Sequence, residues 1–169
     1  MAFLVKKFGG SSVATAEKIQ AVAERIIRTK EENDRVVIVV SAMGDTTDDL
    51  ISLAKKACGS PYAHARELDQ LLTTGEQVSI ALLAMTLRSK GCPAISLTGP
   101  QAGIATTTVP LKAKIRNIAP MRVLEELDKG KVVVVAGFQG LAETGDITTL
   151  GRGGSDTSAV ALAGALQAD

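Results

Sequence analysis

Runs of β-branched residues alternate along the chain with stretches in which apolar residues recur at helical spacing. Residues 35–40 and 132–136 are almost entirely valine and isoleucine with no polar alternation, a pattern typical of strands covered on both faces in a parallel sheet. Residues 3–8 and 94–98 are predicted as two further strands. The segment 101–118 has no clear period and predicts only short strands and loops.

Helices are predicted between these strands. Behind Thr15, the predicted N-cap of the first helix, apolar residues keep the spacing of one helical face: Ile19, Val22, Ala23, Ile26 and Ile27. Further helices are predicted at 48–58, 61–72, 76–90, 120–130 and 155–168. Strands that alternate with helices indicate a single α/β domain with a mostly parallel central sheet.

Composition narrows the class of ligand. The 169 residues are 46% hydrophobic and 22% charged, with a formal net charge of +1 and 2% aromatic residues. This composition is that of a globular protein and disfavours partners such as nucleic acid, membrane lipid or sugar. The two cysteines lack metal-ligand spacing, and no apolar run is long enough to span a membrane. We expect a soluble cytoplasmic protein that binds small polar ligands.

Glycine, hydroxyl residues and one lysine follow the predicted strands. Because ligands of open α/β sheets bind beyond the carboxyl ends of the strands, these loops should converge at one edge. Glycines let backbone amides approach phosphate oxygens, and a lysine supplies a compact positive charge. The alternative for the first glycine pair alone is an ordinary strand-to-helix turn. The residues concerned are Lys7, Gly9, Gly10, Ser11, Ser12, Ser41, residues 45–48, Gly137 and Gly140.

A second glycine-rich loop, residues 151–156, opens the last predicted helix. Free amides and the positive end of a helix dipole favour an anion there, although capping alone also selects Gly, Ser and Asp. Arg152 in this loop can clamp a carboxylate or phosphate through two parallel hydrogen bonds. Neither loop matches GxxxxGK[ST] or GxGxxG, so any phosphate cradle is of another kind.

Titratable side chains offer few other catalytic arrangements. Glu76 is expected at the start of a helix, as a favourable charge near its amino end or as an acceptor for a substrate ammonium group. His64, the only histidine, lies in a polar stretch and is expected at the surface. Zinc sites and histidine-based nucleophilic sites are therefore disfavoured.

Six motifs, in this order, resemble those of aspartate kinases in the amino acid kinase superfamily. The resemblance covers essentially the whole chain, and its last motif is the most specific. The motifs are KKFGGSSV at 6–13, VSAMG at 40–44, TGEQVS at 74–79, QAGI at 101–104, GFQG at 137–140 and TTLGRGGSDT at 148–157.

This resemblance implies a three-layer α/β/α sandwich and ATP-dependent phosphorylation of the side-chain carboxylate of L-aspartate, with Mg²⁺ accompanying ATP. The product, 4-phospho-L-aspartate, enters lysine, threonine and methionine synthesis. A carboxylate is already ionised at pH 7 and needs no general base, so positioning and charge neutralisation suffice.

The resemblance also implies roles for individual residues. Lys7 would stabilise the transferring phosphoryl group, and Asp156 would orient Lys7. Arg152 would clamp a substrate carboxylate, and Glu76 would accept the substrate amino group. The remaining residues fall into two groups: Ser41, Thr47 and Ser155 in the aspartate pocket, and Gly9, Gly10, Ser11, Gly153 and Gly154 around phosphate oxygens. No metal ligand is assigned.

The sequence departs from the family pattern in places. Ser11 stands where threonine is usual, Pro100 where tryptophan is common, and Thr107 and Pro110 where Asp and His are common. These changes concern loop packing more than chemistry. Family members continue past the equivalent of Asp169 into an ATP-binding lobe and regulatory domains. We therefore expect residues 1–169 to be an amino-terminal substrate-binding lobe, inactive alone, of an enzyme that is a homo-oligomer when complete.

Two other functions are compatible with these residues. One is a different amino acid kinase, acting on glutamate, N-acetylglutamate, carbamate or a nucleoside monophosphate. The other is a non-catalytic regulatory or anion-binding module. Retention of Lys7, Glu76, Arg152 and Asp156 together favours a kinase.

Overall fold

A computed structural model describes residues 2–33, 35–151 and 153–169. Its eight strands are β1 (Phe3–Phe8), β2 (Arg35–Val40), β3 (Ala94–Leu97), β4 (Ile104–Thr106), β5 (Ile115–Ile118), β6 (Val132–Ala136), β7 (Gln139–Ala142) and β8 (Ile147–Thr149). Its five α-helices are α1 (Ala16–Glu32), α2 (Thr46–Cys58), α3 (Ala65–Ser89), α4 (Met121–Asp128) and α5 (Gly154–Leu166). The predicted α/β class is confirmed.

The central sheet is parallel throughout, with strand order β1-β2-β6-β3. Alternate side chains of β2 and β6 point to opposite faces, and both faces are covered. Val36, Ile38 and Val40 pack with residues of α1 and α3, whereas Val37 and Val39 pack with residues of α4 and α5. The sheet is therefore the middle layer of an α/β/α sandwich, which explains the absence of polar alternation in β2 and β6.

A second sheet, built of shorter strands, has the order β5-β4-β7-β8 and takes strands from both sides of β6 in the chain. β7 and β8 were not predicted: residues 137–140 were expected to be a loop, yet β7 begins at Gln139. The strands are four and three residues long, too short for a period to show. Gln139 is fully buried, and its polar side chain has hydrogen-bond partners there. Its Nε2 donates to the Thr73 carbonyl (3.2 Å), and its Oε1 accepts from the Gly99 amide (3.4 Å).

Helix α3 is a single helix of 25 residues, so the predicted break between residues 72 and 76 is wrong. The Thr73 and Thr74 hydroxyls donate to carbonyls three residues earlier, at 3.1 and 2.7 Å. Gly75 is buried against the second strand's loop, where an added Cβ would lie 3.0 Å from the Ala42 Cβ. Close packing selects glycine here, and the helix continues through it. Glu76 consequently lies inside the helix.

The starts of the other helices agree more closely with the sequence. Thr15 caps α1 as predicted, and its hydroxyl oxygen accepts from the Lys18 amide at 3.2 Å. Residues 61–64 form a 3₁₀ turn before α3, and His64 within it is exposed. No described helix combines the length and apolar character that a membrane span requires.

Candidate functional site

A cleft of about 580 Å³ opens at the carboxyl ends of β1, β2 and β6, beside the first turn of α5. It brings together loops that are far apart in the sequence, as the convergence argument predicts. Among the residues to which the resemblance assigns roles, those that line the cleft are Lys7, Gly10, Ser41, Thr47, Glu76, Gly153, Gly154, Ser155 and Asp156.

Three other predicted site residues need separate description. Gly9 adjoins the cleft, since a Cβ added there would lie 3.4 Å from the Lys7 Nζ. Ser11 is exposed and does not line the cleft, and its carbonyl accepts a hydrogen bond from the Lys18 Nζ at 3.0 Å. Arg152, predicted to clamp a carboxylate, lies outside the described residues.

Lys7 and Asp156 form an ion pair across the cleft. The Lys7 Nζ lies 2.9 Å from the Asp156 Oδ1, and their side chains are 29% and 71% exposed. Lys7 is the penultimate residue of β1, and Asp156 lies in the first turn of α5. The pair therefore fixes a positive charge beside the amino end of a helix, whose free amides also favour an anion.

The loop after β1 packs directly on the loop after β2. A Cβ at Gly10 would lie 2.7 Å from the Ala42 carbonyl oxygen, a distance that no side chain tolerates without a shift. The Gly44 amide donates to the Gly10 carbonyl at 2.9 Å. Glycine is thus required at residue 10 by close backbone approach, and the two loops together form one wall of the cleft.

The start of α5 is held against the end of β6. The Gly137 amide donates to the Val40 carbonyl at 3.0 Å, and a Cβ at Gly137 would lie 2.9 Å from the Ser155 Oγ. The hydroxyl of Ser158 bonds to the Phe138 amide (3.0 Å) and the Gly154 carbonyl (2.7 Å). These contacts place the first turn of α5 at the floor of the cleft.

Glu76 is the buried acid of the site. It is 3% exposed, and its Oε1 accepts from the Ala42 amide at 3.2 Å. Within the described part of the chain, its Oε2 is the buried side-chain oxygen or nitrogen that lacks a hydrogen-bond partner. Burial raises the pKa of Glu76 to about 7, against the lowering effect of backbone hydrogen bonds. A cationic group in the cleft would satisfy Oε2 and favour the ionised form.

Sequence reasoning missed other cleft residues, including Phe138, Leu111 and Thr149. Phe138 has a φ of 72° and Leu111 a φ of 62°, in the left-handed region that side chains rarely adopt. The Phe138 ring covers Gly154, where an added Cβ would lie 2.7 Å from its Cδ2. The GFQG motif marks Phe138, but no sequence rule signals a left-handed phenylalanine or leucine.

The charges in the cleft are arranged for a small ligand with groups of both signs. Lys7, the glycines and the amino end of α5 suit a phosphate or carboxylate, whereas Glu76 suits an ammonium group. A carboxylate ligand would need no general base, because it is ionised at neutral pH. The arrangement can therefore bind an amino acid and place an anionic oxygen beside Lys7.

Comparison with known proteins gives consistent relatives. Aspartokinase of Geobacillus stearothermophilus is 58% identical over 169 residues, covering 100% of this chain and 41% of the relative. Aspartokinase of Corynebacterium glutamicum is 57% identical over 170 residues, covering 100% of this chain and 40% of the relative. The chain thus spans about 40% of the length of these curated relatives.

Solved structures share the fold. The crystal structure of aspartate kinase from Synechocystis has a TM-score of 0.81 and 52% identity, covering 99% of this chain and 27% of that one. The structure of E. coli aspartokinase III in complex with aspartate and ADP has a TM-score of 0.84, covering 98% of this chain and 47% of that one. Its identity of 24% shows the fold alone. The model of the amino acid kinase family matches residues 2–169, and the chain belongs to that family.

Proposed function

We propose that this chain is the amino-terminal, aspartate-binding lobe of an aspartate kinase, and that the complete enzyme converts L-aspartate and ATP to 4-phospho-L-aspartate and ADP. The curated relatives, at 56–58% identity, are aspartokinases. One structural observation carries the proposal: Glu76 buries an unpaired carboxylate oxygen in the same cleft that holds Lys7. A dicarboxylic α-amino acid such as aspartate offers an ammonium group and two carboxylates in one small ligand.

Each end of the cleft binds a different part of aspartate. Glu76 accepts hydrogen bonds from the α-ammonium group through Oε2, while Oε1 stays on the Ala42 amide. Ser41, Thr47 and Ser155 supply hydroxyls that line the pocket, and Arg152 clamps a carboxylate. The side-chain carboxylate then lies toward Lys7, where the reaction occurs.

The transfer step balances without a proton. A side-chain carboxylate oxygen of aspartate forms a bond to the γ-phosphorus of ATP while the bond from that phosphorus to the β,γ-bridging oxygen breaks, and ADP leaves. Lys7 neutralises charge on the transferring oxygens, and Asp156 holds the Lys7 Nζ in place through their 2.9 Å contact. Positioning and electrostatic stabilisation carry such reactions.

The Lys7 end of the cleft fits phosphate. A Cβ at Gly9 would contact the Lys7 Nζ at 3.4 Å, so glycine leaves the space beside the lysine to a ligand. Gly153 is the N-cap of α5, where the positive end of the helix dipole favours an anion. Bound ATP supplies the phosphoryl group. Within residues 2–33, 35–151 and 153–169, no cluster of three or more His, Cys, Asp or Glu could hold a metal ion. We assign no Mg²⁺ ligand to these residues, and Mg²⁺ enters with the nucleotide.

The proposal extends to the setting of the enzyme. The complete protein contains an ATP-binding lobe and regulatory domains, forms a homo-oligomer, and acts in the cytoplasm in lysine, threonine and methionine synthesis. The isolated chain binds aspartate weakly and has little or no kinase activity, because γ-phosphoryl positioning needs the ATP-binding lobe. The curated aspartokinases support a longer complete protein, since this chain spans about 40% of their length.

The test is calorimetric titration of the chain with L-aspartate, alongside L-glutamate and N-acetyl-L-glutamate. We expect binding of aspartate alone, abolished in Glu76→Gln and in Arg152→Ala. N-acetyl-L-aspartate, which differs from aspartate in lacking the ammonium charge, isolates the contribution of Glu76. Selective binding of glutamate or N-acetylglutamate would show that the substrate is that amino acid and not aspartate. No binding by a folded chain, shown by circular dichroism, would contradict the binding role of this lobe.

A further inference from the structure

Asp69 is a buried carboxylate to which the proposed reaction gives no role. It lies on α3 and is 0% exposed. It precedes Glu76 by seven residues, about two helical turns, so both side chains lie on one face of the helix. Burying a carboxylate is costly unless donors surround it. Its partners therefore indicate what it does.

The partners of Asp69 are two segments that line the cleft. The Leu111 amide donates to both carboxylate oxygens, at 3.1 Å each, and the Thr149 hydroxyl donates to Oδ1 at 2.6 Å. Burial raises the pKa of Asp69, while hydrogen bonds from Thr149 and Leu111 oppose that rise. One side chain on α3 thus joins the loop before β5 to the end of β8.

Leu111 adopts a backbone conformation that it would not choose alone. Its φ of 62° lies in the left-handed region, which costs an L-residue about 1–2 kcal/mol. Such conformations persist only where surrounding contacts hold them. The direct contact on the Leu111 amide is the Asp69 carboxylate, which makes Asp69 the clamp for this turn.

The clamp reaches the glycine-rich loop. The Ala113 amide donates to the Thr149 carbonyl at 3.0 Å, and a Cβ at Gly151 would lie 3.2 Å from the Leu111 carbonyl oxygen. The Leu150 amide in turn donates to the Phe138 carbonyl at 2.9 Å. The position of residues 149–151 therefore depends on Leu111, and Leu111 depends on Asp69.

We infer that Asp69 is a positioning residue for the substrate cleft, because its carboxylate ties Leu111 and Thr149 together and so fixes residues 149–151. It touches neither substrate in the proposed reaction. The inference deepens the proposed function and rests on it for its consequence, tighter binding of aspartate.

The variant is Asp69→Asn, which keeps the size of the side chain. The Leu111 amide lies 3.1 Å from both carboxylate oxygens, so the new NH₂ faces this donor in either orientation of the side chain. One hydrogen bond to Leu111 therefore becomes a donor–donor contact, whereas the Thr149 hydroxyl can still accept or donate. The matched control is Glu126→Gln. Glu126 is 1% exposed, and its carboxylate holds Lys131 at 2.5 Å and Lys129 at 2.9 Å, away from the cleft. Both variants lose a buried carboxylate, and only one loses the clamp.

Two measurements separate the clamp from general stability. Amide hydrogen exchange on the unliganded chain should speed up at least tenfold at residues 111–113 and 149–151 in Asp69→Asn, with no such change in Glu126→Gln. Calorimetry should show at least tenfold weaker aspartate binding in Asp69→Asn alone. The exchange result judges the clamp even if wild-type chain binds no aspartate, an outcome that would contradict the proposed function.

The inference is overturned if exchange at these residues matches wild type in Asp69→Asn, or if both variants weaken binding equally. Should Asp69→Asn fail to fold, Thr149→Val removes one donor and leaves the carboxylate on the Leu111 amide. Faster exchange in this variant at residues 149–151 supports the clamp, and unchanged exchange there overturns it.

Discussion

The Lys7 Nζ and the Asp156 Oδ1 lie 2.9 Å apart, which joins the end of the first strand to the first turn of the last helix. Ion pairs as exposed as this one usually contribute only about 0–1 kcal/mol to stability. The contact instead orients the Lys7 ammonium group, because it holds a flexible side chain over the cleft. Its removal should therefore affect catalysis and stability very differently.

We expect Asp156→Asn to lower kcat of the complete enzyme proposed above by roughly ten- to hundredfold, because the lysine loses its charged partner and its fixed position. The melting temperature should hardly change. Measurement of ADP release together with thermal unfolding checks both expectations. Glu143→Gln, which breaks the exposed pair with Arg116, is the matched control and should leave kcat unchanged. A normal kcat in Asp156→Asn would refute the orienting role.

Glu76→Gln should change how stability depends on pH. The pKa of Glu76 is about 7 in the folded chain against an ordinary value of 4.5, so the folded state holds a proton that the unfolded state releases between these values. Stability of the wild-type chain therefore falls as pH rises from about 4.5 to 7, by an order of 3 kcal/mol from this group. The variant lacks that loss.

Urea unfolding at pH 4.5, 6, 7 and 8 measures the effect. The stability difference between Glu76→Gln and wild type should grow in favour of the variant up to pH 7 and then stay constant. The control is Glu67→Gln, an exposed carboxylate on the same helix, whose difference from wild type should vary little. A difference for Glu76→Gln that is flat with pH would show that the acid ionises normally.

Binding of aspartate should release a proton near pH 6. Glu76 is largely protonated there, and an incoming ammonium group requires the carboxylate. Above pH 8 the acid is already ionised, and no proton should be released. Titration calorimetry at each pH in two buffers of different ionisation enthalpy counts the protons. Equal heats in both buffers at pH 6 would exclude Glu76 as the ammonium partner.

Two glycine substitutions should have opposite effects on stability. Gly10→Ala places a Cβ 2.7 Å from the Ala42 carbonyl oxygen, so it should destabilise the chain by about 1–3 kcal/mol and weaken aspartate binding. Gly164→Ala, on α5, meets nothing within 4 Å and should stabilise the chain by about 0.5–1 kcal/mol. Thermal unfolding distinguishes them. A neutral Gly10→Ala would show that the two loops separate freely.

The central sheet was predictable because the amino-acid composition of its strands reflects how deeply they are buried. β2 and β6 are buried on both faces, and their unbroken β-branched runs express that directly. The Thr-Thr-Gly sequence of α3 predicted a break in the helix that does not exist. Gly75 is there because it packs closely on Ala42, a tertiary contact that no local sequence pattern reveals. β7 and β8 escaped notice because short strands exist only by virtue of their partners.

The part of the candidate site that was predictable consists of residues at or directly after the ends of strands or at the start of a helix. Lys7, Ser41 and Asp156 come within a few residues of strand ends or a helix start, and the fold collects them in one cleft. Leu111, Phe138 and Asp69 were not predictable, because left-handed backbone and buried charge are imposed by tertiary contacts. In the sequence, Asp69 resembles any solvated acid on a helix.

The unbroken course of α3 limits which changes in length this protein tolerates. Glu76 lines the cleft and Asp69 holds Leu111 and Thr149 from the same unbroken helix. One extra residue between the two acids would turn one by about 100° relative to the other. An insertion or deletion of one residue at 70–75 would therefore turn Glu76 away from the ligand or Asp69 away from Leu111 and Thr149, even though the helix itself would still form. The seven-residue spacing between Asp69 and Glu76 is therefore fixed by the geometry of the site. Natural variants of this helix should differ by substitution rather than by length.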